Sequence, residues 1–230
     1  MIEYLSFEEL ILNLFNDKID YAIMAIENST AGSIIPNYAL IDEYGVNIVG
    51  EYYLQISHNL IALKGQSIED IKEVQSHPMA LLQCRDFFKD NADIVLIEDK
   101  DTAHVAKKIS ENKIKGLGAI ASDLASKIYG LDIINSNIQT IKKNQTRFVI
   151  LQKKGSTKNL NFNKASVKFE LDHKRGSLAA ILNVLSDCKL NLTKIQSMPK
   201  IQTPWRYSFF VDVTFEELED YYKACLLYTS

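Results

Sequence analysis

No stretch of the sequence approaches the roughly 18 consecutive apolar residues that carry a helix across a bilayer, and Met1 to Ser6 lack the basic-then-apolar pattern of a secretory leader. The chain is therefore expected in the cytoplasm, with no membrane partner. There is no Lys/Arg stripe either: 26 basic residues against 29 acidic ones leave a formal charge of -3, which argues against a duplex nucleic-acid binder. Cys84, Cys188 and Cys225 are too few and too widely spaced for a disulfide framework or a zinc site, so inert buried thiols are expected. His58 and His104 stand at no metal-ligand spacing, so no catalytic zinc or iron centre is expected, and neither a phosphate loop nor a nucleophile elbow is present.

What is present is an ordinary globular composition, 47% hydrophobic and 24% charged over 230 residues, long enough for two compact units. Ser6-Phe7-Glu8-Glu9 reads as a capping box opening a helix to about Asn16, with a buried strand over Tyr21 to Glu27 after it. Pro36 suits the first turn of a helix to Tyr44, Val46 to Leu63 should be extended, and Ser67 caps a short helix through Val74. From Ala80 the pattern alternates: helix to Lys89, strand Asp93 to Glu98, helix Thr102 to Glu111, strand Leu117 to Ile120, helix Ser122 to Tyr129, strand Thr146 to Leu151. Alternation of this kind predicts an α/β domain. The polar segment Lys153 to Lys164 marks a boundary, giving expected domains of 1–155 and 165–230. Beyond it the order β-α-β-β-α matches a ferredoxin-like βαββαβ unit without its closing strand, and Cys225 to Ser230 reads as a foreign tail or a short apolar edge strand.

Three clusters could carry chemistry. Glu27-Asn28-Ser29-Thr30-Ala31-Gly32-Ser33 ends a strand and is expected to open a helix, gathering N–H groups, hydroxyls and an amide where an anion would bind; plain capping is the alternative. Ser76-His77-Pro78 precedes a helix, and its histidine is a base, an anion contact or a turn residue. Asn144-Gln145-Thr146-Arg147-Phe148 begins a strand with a hydroxyl, a guanidinium and a ring; the arginine either grips a carboxylate or forms a surface ion pair.

In combination these clusters, together with Ala80, Gln83, Cys84, Ser57-His58-Asn59-Leu60 and Ala119-Ile120-Ala121-Ser122, resemble prephenate dehydratase from about Phe7 to Val213. The resemblance implies a two-lobed, periplasmic-binding-protein-like catalytic domain. It also implies a cofactor-free lyase that converts prephenate to phenylpyruvate, carbon dioxide and water in phenylalanine biosynthesis. Thr146 and Arg147 are then the catalytic residues, the first assisting the departing hydroxyl and the second orienting a carboxylate. Glu27, Asn28, Ser29, Gly32, Ser76, His77 and Phe148 line the substrate site.

Residues 165–230 resemble the ACT domain that follows this catalytic domain, which implies L-phenylalanine as an allosteric ligand and homodimers or homotetramers paired through the module. Gly176, Ser177, Leu178, Asn191, Leu192, Gln196, Ser197 and Pro199 are its expected ligand residues. The second strand departs from the family's Glu-Ser-Arg-Pro, reading Gln196-Ser197-Met198-Pro199. Relatives also begin with a strand and a Gly-rich turn not found here, so the chain is expected to be incomplete at its front and at its end. A non-catalytic amino-acid sensor or a solute-binding module is the alternative to the lyase.

Overall fold

A computed structural model describes residues 2–155, 161–171, 174–200, 203 and 205–227, with the helical backbone of 228–229. Part of the expected boundary segment (156–160) and the last tail residue, Ser230, lie outside the described residues. The chain divides into two compact units, one of residues 1–24, 35–50 and 149–230, the other of residues 25–34 and 51–148.

Along the chain, α1 (Phe7–Phe15) is followed by β1 (Ala22–Asn28), β2 (Gly32–Ser33), α2 (Ile35–Tyr44), β3 (Asn47–Gln55), β4 (Asn59–Ala62) and β5 (Glu73–Ser76). Then come α3 (Pro78–Gln83), α4 (Arg85–Lys89), β6 (Val95–Glu98), α5 (Thr102–Asn112), β7 (Leu117–Ala121), α6 (Asp123–Tyr129), β8 (Asp132–Asn135) and β9 (Gln145–Gln152). The last part holds β10 (Lys164–Glu170), α7 (Ser177–Asp187), β11 (Asn191–Pro199), β12 (Tyr207–Thr214) and α8 (Leu218–Thr229). The strands form sheets of order β2-β1-β9-β3, β6-β5-β7-β4-β8 and β10-β12-β11.

The five-stranded sheet explains the near-continuous apolar strands of the second unit. Leu60, Ala62, Val74 and Ile120 pack with Ala80, Leu81 and Phe88 of α3 and α4. Their neighbours Ile61, Leu117, Ala119 and Ala121 pack with Val105, Ala106 and Ile109 of α5 and Ala125 of α6. Side chains alternate from face to face, so helices on both faces leave no exposed position on β4 or β7. Strands β5, β6 and β7 run parallel, while β4 lies antiparallel to β7 and β8. Gly118 leaves room in β7, where an added Cβ would stand 2.9 Å from Leu60 Cδ1 and 3.2 Å from Val74 Cγ2.

In the first unit α1 packs on α2, with Ile11 and Leu14 buried and the Phe15 and Tyr44 rings edge-to-face at 5.5 Å. The antiparallel sheet of β10, β12 and β11 carries its apolar face against α7 and α8 through Phe169, Val211, Val213, Phe215 and Ala224. Within the same unit Tyr38 of α2 meets Phe210 edge-to-face at 5.6 Å and Asp42 pairs with Lys168 at 2.8 Å.

Three expectations change. Ser67 and Asp70 do form a reciprocal capping box, but the helix lasts only the 3-10 turn Ile68–Asp70. Val74 instead lies in β5 with 0% exposure, because burial between two parallel strands outweighs a local helix start. Residues after Asn28 form a hairpin to β2 rather than a helix start, and helix α2 begins only at Ile35. Finally, Cys225 to Thr229 continue α8 rather than forming an edge strand.

Candidate active site

The expected residues Asn28 and Thr146 meet at the end of β1 and the start of β9, within the second unit. Asn28 Oδ1 accepts the backbone N–H of Thr30 (3.0 Å) and of Ala31 (2.9 Å), and also the Thr30 hydroxyl at 2.7 Å. This is an Asx turn, and Gly32, at φ +84°, supplies the left-handed residue that closes it. The two turn amides are therefore spent on Asn28, not presented to an anion as the sequence suggested. Ser29 clasps the neighbouring strand: its N–H donates to Gln145 O at 2.8 Å while its Oγ accepts from Gln145 N at 2.9 Å.

Backbone N–H groups can only donate, so they fix the polarity of everything linked to them. Asn28 Oδ1 is the acceptor, which makes Nδ2 the donor to Asn144 Oδ1 (2.7 Å) and Thr146 Oγ1 (3.0 Å). Asn144 Nδ2 then donates to Gln83 Oε1 at 2.9 Å, and Gln83 Nε2 donates to Thr30 Oγ1 at 2.7 Å. His58 Nε2 lies 2.8 Å from the same Gln83 oxygen and must carry a proton there. The ring closes with each of these bonds running from a donor to an acceptor. Thr146 Oγ1 spends a lone pair on Asn28, and among the described residues its own proton has no acceptor. That proton is left available to a further acceptor.

Burial of His58 (8% exposed) lowers its pKa below the ordinary imidazole range, against the smaller opposing effect of the Gln83 bond. Burial also pushes the Cys84 thiol, at the junction of α3 and α4, up to about 12, with Lys142 acting weakly the other way. Cys84 is thus a core residue rather than a nucleophile.

The remaining expected residues fall in several places. Arg147 is buried at 5% exposure; its Nε donates to Glu51 Oε2 at 2.8 Å, and its Nη1 lies 3.8 Å from Glu27 Oε2. Glu27 and Arg147 are therefore brought together as an internal ion pair. Phe148, half-buried, follows them on β9. Ser76 is fully buried and its hydroxyl donates to Ile120 O at 2.9 Å, tying β5 to β7. His77 is exposed and caps α3, its Nδ1 accepting from Met79 N at 3.2 Å. In the first unit, Gly176 (φ +84°) precedes α7, with Ser177 and Leu178 in its first turn. Asn191, Leu192, Gln196, Ser197 and Pro199 lie on the edge strand β11; Asn191 reaches Thr214 Oγ1 at 3.4 Å and Gln196 Nε2 donates to Ser197 O at 2.8 Å. Two surface hollows, one lined by Gln66–Glu69 and Asp132–Asn135, the other around Asp86, Phe87 and Lys142, contain neither Asn28 nor Thr146.

Thr30, His58, Gln83 and Asn144 join the network; all four lie in motifs quoted from the sequence, but none was given a role of its own there. Asn144 stands two residues from Thr146 and Gln83 lies beside the Ser76-His77-Pro78 cluster, yet their convergence depends on pairings 61 and 116 residues apart.

The family model for prephenate dehydratase matches residues 1–156. A bifunctional chorismate mutase/prephenate dehydratase of Buchnera aphidicola subsp. Acyrthosiphon pisum (strain APS) is 34% identical over 210 residues, covering 90% of this chain and 54% of that protein. The prephenate dehydratase of Methanocaldococcus jannaschii is 36% identical over 220 residues, covering 93% and 79%. The chain spans about half the length of the first of these relatives. Among solved structures, GqqA, described as a quorum quenching acylase, aligns with TM-score 0.82 at 27% identity, covering 94% of this chain and 78% of that one. A prephenate dehydratase from Arthrobacter aurescens in complex with L-Phe aligns with TM-score 0.84 at 22% identity, covering 98% and 76%. The fold is the α/β, periplasmic-binding-protein-like fold of these structures. By family model and by sequence, the chain belongs to the prephenate dehydratase family.

Proposed function

We propose that the protein is a prephenate dehydratase acting in L-phenylalanine biosynthesis. The observation that carries the reading is the Thr146 hydroxyl, whose oxygen receives Asn28 Nδ2 while its proton is left to donate. Prephenate carries two carboxylates and a ring hydroxyl. The ring-carbon-to-carboxylate bond breaks to release carbon dioxide, its electron pair enters the ring, and the hydroxyl departs as hydroxide that takes a proton from solvent to become water. Aromatisation supplies the driving force, so the protein has only to hold the substrate and assist the leaving group.

In this reading Thr146 donates to the departing oxygen, and Asn28, with Asn144, Gln83 and Thr30, holds it in line. Stabilising the leaving hydroxide by a fixed hydrogen bond is its main contribution, since a threonine hydroxyl is a weak acid. Glu27 and Glu51 fix the orientation of the Arg147 guanidinium, whose charge helps to orient a substrate carboxylate. An acylase-type mechanism is less well supported: among the described residues, Cys84 is a buried thiol of raised pKa and His58 is turned to the Gln83 amide, leaving no base-activated nucleophile in the network.

We also assign residues 1–155 to the catalytic domain and 165–230 to an ACT-type module. The β10-α7-β11-β12-α8 order and the left-handed Gly176 before α7 support that assignment. L-phenylalanine is its proposed ligand, near Gly176, Ser177, Leu178 and β11, with pairing of modules into dimers or tetramers in the cytoplasm. The complex of the Arthrobacter relative with L-Phe supports the choice of ligand.

The test is turnover of prephenate, read as phenylpyruvate absorbance in alkali, with arogenate as the comparison substrate. Phenylpyruvate from prephenate bears the reading out. Binding of phenylalanine without turnover of either substrate favours a sensor.

A further inference from the structure

We infer that His58 is a positioning residue for the Thr146 hydroxyl, acting through the side chains of Gln83, Asn144 and Asn28. This rests on the dehydratase reading of the site and goes a step beyond it.

Gln83 is the weak point of the network. The Asn28 amide cannot turn over, because two backbone N–H groups hold its oxygen. Among the described residues the Gln83 amide has no such backbone anchor: it meets Asn144 Nδ2, Thr30 Oγ1 and His58 Nε2, all side-chain atoms. If that amide rotated by 180°, its nitrogen would face the Asn144 amide nitrogen and its oxygen would face Thr30. The Thr30 hydroxyl could then donate to Gln83 instead of Asn28, and Asn144 would be pushed to turn as well. A turned Asn144 presents a nitrogen to Asn28 Nδ2, and the donor that orients Thr146 loses its place. A second proton donor on Gln83 Oε1 opposes this rotation, and His58 provides it at 2.8 Å.

The surroundings of His58 suit that task. Its backbone is pinned on both sides, its N–H donating to the buried Gln139 Oε1 at 3.0 Å and its carbonyl accepting from Ile138 N at 2.8 Å. The ring is therefore presented from a fixed main chain. Burial favours neutral imidazole, which carries a single ring proton; the network demands that it sit on Nε2. One net hydrogen bond corresponds to a factor of about two to ten in an equilibrium, so losing this donor populates misoriented networks without emptying the productive one.

Three substitutions in the full chain test the inference. His58→Phe and His58→Met fill the site without a donor and should lower kcat about tenfold with KM within about twofold, the pattern of a misaligned reacting group. His58→Gln places an amide N–H near the Nε2 position and should recover most of that loss. Wild-type kcat in either donor-less variant, or a His58→Gln variant as slow as His58→Met, overturns the inference. Should His58→Phe fail to fold, as judged by circular dichroism, the Met and Gln variants carry the comparison. Independently of turnover, 15N spectra of histidine-labelled protein, with the His58 signal identified by its loss in His58→Gln, should show the Nε2–H tautomer; an Nδ1–H tautomer contradicts the inference. If the parent chain converts no prephenate, the proposed function fails, and the tautomer alone decides whether His58 holds Gln83.

Discussion

Replacing Asn28 by aspartate exchanges the amide nitrogen for an oxygen and leaves the shape intact. The oxygen that accepts from Thr30 N, Ala31 N and the Thr30 hydroxyl is retained. The nitrogen that donates to Asn144 Oδ1 at 2.7 Å and Thr146 Oγ1 at 3.0 Å becomes an acceptor. Two oxygens cannot share either distance without a proton between them. At Thr146 the remedy is local: its hydroxyl rotates inward and donates to the new carboxylate, so the proton proposed to assist the leaving group is withdrawn from the substrate. At Asn144 the amide must turn, which sets its oxygen against Gln83 Oε1, an acceptor already serving His58. One lost hydrogen bond, Asn144 to Gln83, together with the repulsion of the two facing oxygens, puts the stability cost at about 1–3 kcal/mol. That is small beside a total of about 5–15 kcal/mol, so the variant stays folded. Loss of a placed proton donor lowers kcat by about 10²-fold or more, at the low end of what such groups contribute. The assay is phenylpyruvate formation at saturating prephenate, alongside a thermal melt on the same sample. An Asn28→Asp variant that folds and keeps kcat within about threefold of the parent would show that the Thr146 proton is not what the network serves.

Gly118→Ala forces a Cβ to within 2.9 Å of Leu60 Cδ1 and 3.2 Å of Val74 Cγ2, both fully buried, and should cost about 1–3 kcal/mol, read as a lower urea midpoint. With Cys84 and Cys188 buried and the Cys84 thiol pushed up to about 12, Ellman's reagent should reach the half-buried Cys225 first under native conditions; rapid labelling of Cys84 would contradict the packing of α3 and α4. His58 has a folded-state pKa below its unfolded value of about 6.5, so the unfolded chain takes up the proton first as pH falls, and stability is lost below that value. The melting temperature should therefore drop more steeply between about pH 7 and 5 in the parent than in His58→Gln, and equal slopes would remove His58 from the acid response.

Much of the fold could be read from local pattern. β4 and β7 announce themselves as apolar runs because helices cover both faces of their sheet, and Ser6 marks a helix start that the structure caps with the expected side chain. Val74 shows where such reasoning stops: Ser67 and Asp70 build a genuine helix start, but parallel pairing on both sides of β5 claims the residues that follow. β8 went unread because two of its four residues are exposed and its partner β4 is distant in sequence. At the site, Asn28 and Thr146 were legible as motifs, while the chain of amides between them was not. Gln83 ends a six-residue helix and His58 sits in a loop, and nothing local says that both turn toward Asn144. Ser76 and His77 illustrate the converse. Their motif is real, but one hydroxyl ties two strands together and one ring caps a helix.

The most direct test of the Thr146 assignment is the rate of phenylpyruvate formation from prephenate by this chain, compared with its Thr146→Ala variant. Turnover by the parent is expected, with a loss of about 10²-fold or more in kcat when the hydroxyl is removed. Equal rates in the two proteins, or no phenylpyruvate from the parent, would contradict it.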